Sequence, residues 1–255
     1  MEDMSEIWIW RLIVAIFKLF RWKNLKWIRN RVFSPTLRVV VYGESGAGKT
    51  QFLYTILGNG KIAGQPSQNI EHKKMTLEDG HLLEFIVTPG HKSLKAARDS
   101  LRRELVNGKI TGVINVVNYG YLCNEDTDLS KVFQAGSTNI KAEYLRDNKK
   151  RELDQIDEWI DLIDKDCKLK WLITIVNKAD VWYDQRDSAM EYYKQGAYYE
   201  KIKVISPCCN NIECFPFCST IHPFCDRPML LDMSEQKKRD MHQVFYDELS
   251  RLASL

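Results

Sequence analysis

Residues 37–54 read LRVVVYGESGAGKTQFLY, and the rest of the chain is arranged around them. Val39 to Tyr42 form a β-branched and aromatic run, the pattern of a strand buried on both faces. The next eight residues are Gly43, Glu44, Ser45, Gly46, Ala47, Gly48, Lys49 and Thr50, and they match the phosphate-binding pattern GxxxxGK(S/T) in full. Glycines there let the backbone bend tightly and turn successive N–H groups inward as an anion nest. A helix starting near Lys49 and continuing through Gln51 adds its positive end to the same cavity. In that geometry Lys49 reaches the β- and γ-phosphates of a nucleoside triphosphate, and the Thr50 hydroxyl ligates Mg²⁺. A glycine-rich turn that binds nothing is the competing reading. The strand signal before the motif and the helix signal after it argue against that.

With 255 residues, 44% of them hydrophobic, the chain can bury one α/β core with an appendage. A net charge of +3 is too small to argue for nucleic acid, and no nucleic-acid partner is expected. Its distribution is uneven, because residues 1–31 hold seven Lys/Arg against three Asp/Glu. Seven cysteines without a cleavable signal fit a reducing compartment better than a disulfide framework.

Residues 1–34 form a separate N-terminal segment. Ile7 to Phe20 are almost wholly apolar, broken only by Arg11 and Lys18. At helical spacing Arg11, Lys18 and Arg29 share a narrow stripe, with Arg21 and Lys26 beside it. Trp8, Trp10, Trp22 and Trp27 are residues that favour a membrane–water interface. The apolar run falls short of the roughly 20 residues that span a bilayer. Acidic residues precede it, unlike a signal peptide. The expectation is an interfacial helix or short tilted anchor that meets a membrane surface through residues 5–31 and leaves the rest at its cytoplasmic face. A helix packed on the domain or in an oligomer interface is the alternative. Ser34-Pro35 marks the boundary, and residues 35–255 form the second unit.

Within that unit, residues 59–72 have no helical or strand period and read as a loop. Residues 73–77 and 81–88 read as strands joined around Asp79-Gly80, a hairpin signal. A helix is expected over about 92–105 and a buried strand over 109–119. Residues 120–150 form a polar insert, and the apolar spacing of Leu153, Ile156, Trp159, Ile160 and Ile163 predicts a helix over about 151–166. Residues 171–176 read as a strand that runs into Asn177-Lys178-Ala179-Asp180. An aromatic-rich helix over 190–199, a last strand over 203–206 and a closing amphipathic helix over 234–252 complete the expectation.

The phosphate loop and the NKxD tetrapeptide each end a strand, in that order, with the hairpin between them. The chain therefore resembles the translation-factor and Ras-like class of P-loop GTPases over about residues 36–210. The resemblance implies an α/β three-layer sandwich around a mostly parallel six-stranded sheet with one antiparallel strand. It also implies GTP and GDP as ligands with Mg²⁺ as cofactor. Asp180 would accept two hydrogen bonds from guanine, a donor pair that adenine lacks. Asn177 and Lys178 would brace the loop and cover the ring, and Ser206-Pro207 would stand where the family has a second base-contacting loop. Val87-Thr88-Pro89-Gly90-His91 matches the family switch except at Val87, where an Asp normally holds Mg²⁺ through water. On the same resemblance Gly90 would contact the γ-phosphate and His91 would position the attacking water as the catalytic residue. Ser67 would take the place of a threonine that ligates Mg²⁺.

Cysteines crowd the segment 208–225, with Phe215, Pro216, Phe217, Pro223 and Phe224 between them. No CxxC pair is present, so Zn²⁺ is one reading beside buried free thiols in an apolar plug and acylated or redox-active thiols. The expected activity is a membrane-linked switch that hydrolyses GTP to GDP and phosphate and works through a protein effector. The rivals are a binding platform with little hydrolysis and an oligomerising assembly protein.

Overall fold

The computed structural model describes residues 35–58, 70–88, 95–107, 109–124, 126–161, 169–205, 207, 209–220, 224–225 and 233–255. The N-terminal segment, Ser67, Gly90 and His91 lie outside these residues. Among the described residues no helix is long and apolar enough to cross a membrane.

In chain order the elements are β1 (Leu37–Tyr42), α1 (Lys49–Ile56), β2 (Glu71–Thr76), β3 (Leu82–Val87), α2 (Lys95–Val106) and β4 (Gly112–Val117). There follow α3 (Leu129–Val132), α4 (Ala142–Ile160), β5 (Leu169–Val176), α5 (Ala179–Trp182), α6 (Arg186–Gln195), α7 (Ala197–Lys203), β6 (Cys209–Pro216) and α8 (Glu235–Ala253). The six strands form one sheet in the order β2-β3-β1-β4-β5-β6. β2 and β3 are antiparallel across the Asp79-Gly80 turn, and every other neighbouring pair is parallel. Parallel strands must be covered on both faces, and the alternation of side chains divides the core accordingly. Val39, Val41, Ile114, Val116, Ile173 and Ile175 pack with Phe52 and Ile56 of α1 and Phe245 and Leu249 of α8. Val40, Val113, Val117, Leu172 and Val176 pack with Leu101 of α2, Ile156 and Trp159 of α4 and Tyr193 of α6. This is the three-layer sandwich expected.

Three expectations are corrected. The helix over 151–166 begins earlier, at Ala142, because polar groups tie its first turns down. Tyr144 donates to the Leu122 carbonyl, and Asn148 Nδ2 donates to the Gly120 carbonyl at 2.9 Å. The helix over 190–199 is two helices that meet at Gly196, where a Cβ would lie 2.6 Å from the Tyr192 carbonyl oxygen. The last strand is not residues 203–206, since α7 runs to Lys203. It is β6, which pairs with β5 from Leu169↔Cys209 to Val176↔Pro216. This edge strand reads CNNIECFP, too polar to show a strand period.

Candidate functional site

All parallel strands end on one side of the sheet, and the loops that leave them there converge. The first is the loop from β1 into α1. Lys49 is 8% exposed, and its Nζ donates to the carbonyls of Gly43 at 2.7 Å and Glu44 at 3.1 Å. Burial pulls its ammonium down to about 8, with Glu44 opposing the shift. Glu44 is engaged elsewhere, because its Oε1 lies 2.5 Å from the Arg151 guanidinium on α4. A buried ammonium that has, among the described residues, no counter-charge closer than the displaced Glu44 carboxylate has the chemistry to receive an anion. Ala47 is fully buried, Ser45, Thr50 and Gln51 are half-buried, and Thr50 and Gln51 stand in the first turn of α1.

Asn177, at the end of β5, connects this loop to two others. Its Nδ2 donates to the Ala47 carbonyl at 3.2 Å. Its Oδ1 accepts from the Ser219 hydroxyl at 2.9 Å and the Ser219 N–H at 3.3 Å. The approach is close enough that a Cβ at Gly48 would lie 2.6 Å from Asn177 Nδ2, and Gly48 has φ +89°. Trp182 fixes Asn177 from below, its indole N–H donating to the Asn177 carbonyl at 2.8 Å.

Lys178 takes a left-handed conformation, φ 57°, which lifts its side chain across the phosphate loop. Its Nζ donates to the carbonyls of Gly46 at 2.8 Å and Tyr121 at 2.9 Å, and desolvation pulls it down to about 8. Asp180 is 5% exposed in the first turn of α5, and the Cys218 thiol points at its Oδ1 from 3.7 Å. Burial and the Asp180 carboxylate push that thiol up.

The structure thus brings together Gly43 to Thr50 with Asn177, Lys178 and Asp180. It does not bring Pro207 to them. Ile205 and Pro207 precede the start of β6, which pairs with the start of β5, whereas Asn177 follows the end of β5. Ser206 itself lies outside the described residues. The loop that does reach Asn177 and Asp180 is Phe217-Cys218-Ser219, immediately after β6. Its signal was a small hydroxyl residue just past a strand, hidden because the strand itself was missed. Phe217 anchors that loop. Its ring stacks on His242 at 4.5 Å and meets Phe52 at 5.0 Å and Phe245 at 5.6 Å, edge pairs of about 0.5–1.5 kcal/mol each.

A second supporting residue, Glu152 of α4, is 1% exposed and carried no sequence signal. Its Oε1 accepts from the N–H groups of Asn118 at 3.0 Å and Gly120 at 3.3 Å, and its Oε2 accepts from the Tyr193 hydroxyl at 2.5 Å. Burial raises its pKa against those bonds. It holds the turn after β4, in which Tyr119 has φ 57°, and that turn presents the Tyr121 carbonyl to Lys178.

On the β3 side, Val87 is 2% exposed, and its successor Thr88 donates its N–H to the Val41 carbonyl at 3.0 Å. Among the described residues no group of three or more His, Cys, Asp and Glu is placed to hold a metal. Among its described residues the cysteine segment is β6 and the loop that follows it. The reading of the cysteines as reduced is corrected at one pair, because Cys123 and Cys225 form a disulfide with Cα atoms 6.2 Å apart. The convergence of the loops after β4 and β6 brings them together.

No protein-family model matches the sequence, and no curated protein matches it. Among solved structures, the chain is similar to the crystal structure of bacterial selenocysteine-specific elongation factor EF-Sec, with a TM-score of 0.50 at 15% identity. That likeness covers 86% of this chain and 29% of the other, so the chain spans less than a third of the length of that protein. At this identity the likeness speaks to architecture: the chain has the open, mostly parallel six-stranded α/β fold of the P-loop GTPase type.

Proposed function

We propose that the protein binds GTP and GDP between residues 43–50, 177–180 and 218–219 and works as a nucleotide-dependent switch. The observation that carries the reading is Lys49, a buried ammonium held by two backbone carbonyls in a glycine-rich loop at a helix N-terminus. Guanine is favoured over adenine by Asp180, a buried carboxylate at the far end of the same group of loops. The similarity to an elongation factor of GTPase-type fold supports this choice. Residues 59–72 and 88–100 would be the segments that respond to the γ-phosphate.

Thr50 would supply one hydroxyl for Mg²⁺, while the Val87 side chain has no oxygen to offer. Such a set fits the ion poorly, which supports weak Mg²⁺ dependence and slow turnover. Val87 likewise favours a second reading, a GTP-bound docking platform that scarcely hydrolyses. Residues 1–34 would hold either form at an anionic membrane surface, so removing them should abolish sedimentation with anionic liposomes.

Asp180→Asn tests base identity. It should weaken GTP binding by roughly 100-fold and create binding of xanthosine triphosphate, because the amide reverses the donor pattern. Unchanged GTP affinity would sink the guanine reading. Single-turnover hydrolysis by wild type and His91→Ala, with Mg²⁺ titrated, separates switch from platform. Turnover that His91→Ala removes while binding persists favours the switch.

A further inference from the structure

We infer that Cys123 and Cys225 form a thiol–disulfide switch that sets how firmly the base half of the nucleotide site is held, an inference that rests on the nucleotide reading above. Both ends of the bond sit beside groups that fix Lys178. Cys123 follows Tyr121-Leu122, and the Tyr121 carbonyl accepts from Lys178 Nζ at 2.9 Å and from Asn118 Nδ2 at 2.8 Å. Its own backbone lies against the phosphate loop, where a Cβ at Gly46 would come within 2.9 Å of the Cys123 carbonyl oxygen. Cys225 follows Phe224, a buried ring that meets Tyr121 edge-on at 5.5 Å and lies 5.6 Å from Lys178 Nζ. The bond therefore pins Phe224 onto Tyr121 and Lys178 from a segment 102 residues further along the chain.

Exposure and covalent pairing together single out these two among the described cysteines. Cys123 and Cys225 are half-buried, within reach of a small dithiol. The other cysteines among the described residues are poor partners for exchange. Cys209 and Cys218 are buried, and burial pushes the Cys214 thiol up to about 12.

The exchange itself is balanced. A thiolate of a dithiol reductant attacks one sulfur of the pair, the other leaves as a thiolate and takes up a proton, and the reductant's second thiol resolves the mixed disulfide. Two electrons and two protons pass from the dithiol to the protein, and the dithiol becomes a disulfide. Reduction frees Phe224 from its covalent hold, loosens the turn that presents the Tyr121 carbonyl, and releases nucleotide faster.

The test uses the full chain and a ribose-labelled fluorescent GDP, with the bond state read by mass spectrometry of the peptides that carry residues 123 and 225. Oxidised protein should release GDP more slowly than reduced protein, on the order of tenfold, the scale of ordinary coupling between sites. Cys123→Ser and Cys225→Ser should both release at the fast rate and ignore reductant. Reduced, alkylated wild type provides the same comparison should either variant fail to fold. Equal release rates from proteins verified as oxidised and reduced would overturn the switch, as would failure of the bond to form under oxidant. Absence of GDP binding in both states would instead overturn the nucleotide reading. Amide exchange at residues 119–124 then decides the tether by itself: faster exchange on reduction supports it, and unchanged exchange rejects it.

Discussion

The phosphate half and the base half of the proposed site are held by different means. Residues 43–50 form one contiguous loop whose backbone does most of the work, and Lys49 is clasped by carbonyls five and six residues away. The base half is a mosaic. Lys178 reaches Gly46 across 132 positions and Tyr121 across 57, while Asn177 reaches Ala47 across 130. Both lysines are pulled down to about 8 by burial, yet for opposite purposes. Lys49 is the one that the proposed function assigns to a ligand, whereas Lys178 bridges two loops of the protein. A local motif can thus be complete while the structure that positions it depends on distant side chains.

The largest expected effect breaks the phosphate half alone. Lys49→Ala should weaken GTP binding by roughly 100-fold or more, since charge-assisted contacts are worth about 1.5–3 kcal/mol each and this ammonium would make several. Thermal stability without nucleotide should change little, because the desolvation cost of a buried charge is removed together with its two carbonyl bonds. Titration calorimetry with a melting curve checks both.

Asn177→Ala breaks the comparison from the other side. It orphans the Ala47 carbonyl and both Ser219 donors, so it should cost about 2–3 kcal/mol of stability and also weaken GTP binding, even though the phosphate loop is untouched. Denaturant melts and binding must fall together. Loss of binding at unchanged stability would show that Asn177 acts on the ligand and not as a brace.

pH sharpens the contrast between the lysines. Folded Lys49 and Lys178 lie near 8 against an ordinary value of 10.5. Between those values the unfolded chain holds more protons, so these two groups make the nucleotide-free fold more stable as pH rises. Affinity for GTP should fall over the same window, because a neutral Lys49 no longer attracts phosphate. Melting curves with and without GTP at pH 7.5 and 9.5 should therefore converge. Lys49→Met should remove most of the fall in affinity.

The smallest effects separate the two serine-bearing segments. Ser219→Ala loses one hydrogen bond to Asn177 and should cost about 1 kcal/mol. Pro207→Ala, at an exposed position before β6, should stay within about 0.5 kcal/mol and leave GTP binding unchanged. Chemical denaturation resolves the pair, and a larger effect at Pro207 would reinstate that segment as part of the site.

What could be read from sequence follows the same division. The phosphate loop, the hairpin and the Asn177–Asp180 tetrapeptide are local patterns whose geometry is encoded within a few residues, and they sit where local reasoning put them. The loop after β6 was misplaced because β6 is an edge strand. Its half-buried Asn211, Glu213 and Cys214 show no apolar period, and its cysteines drew attention as ligands. The first turns of α4 were illegible for a related reason. They are fixed by Tyr144 and Asn148 bonding to the loop after β4, and polar anchoring leaves no periodic trace. The Cys123–Cys225 pairing depends on the topology that brings two strand ends together, which spacing alone does not reveal.

The brace through Asn177 has a further consequence during synthesis, when the chain appears from its N-terminus. The phosphate motif is finished at residue 50, but Ala47 has no Asn177 to hold it, and Asn177 has no Ser219, until a further 172 residues beyond Ala47 have been made. At ordinary elongation rates that interval is roughly ten to thirty-five seconds. A nascent chain therefore carries a complete phosphate-binding signature well before it carries a site. Nucleotide capture would report that the sheet has closed through β6.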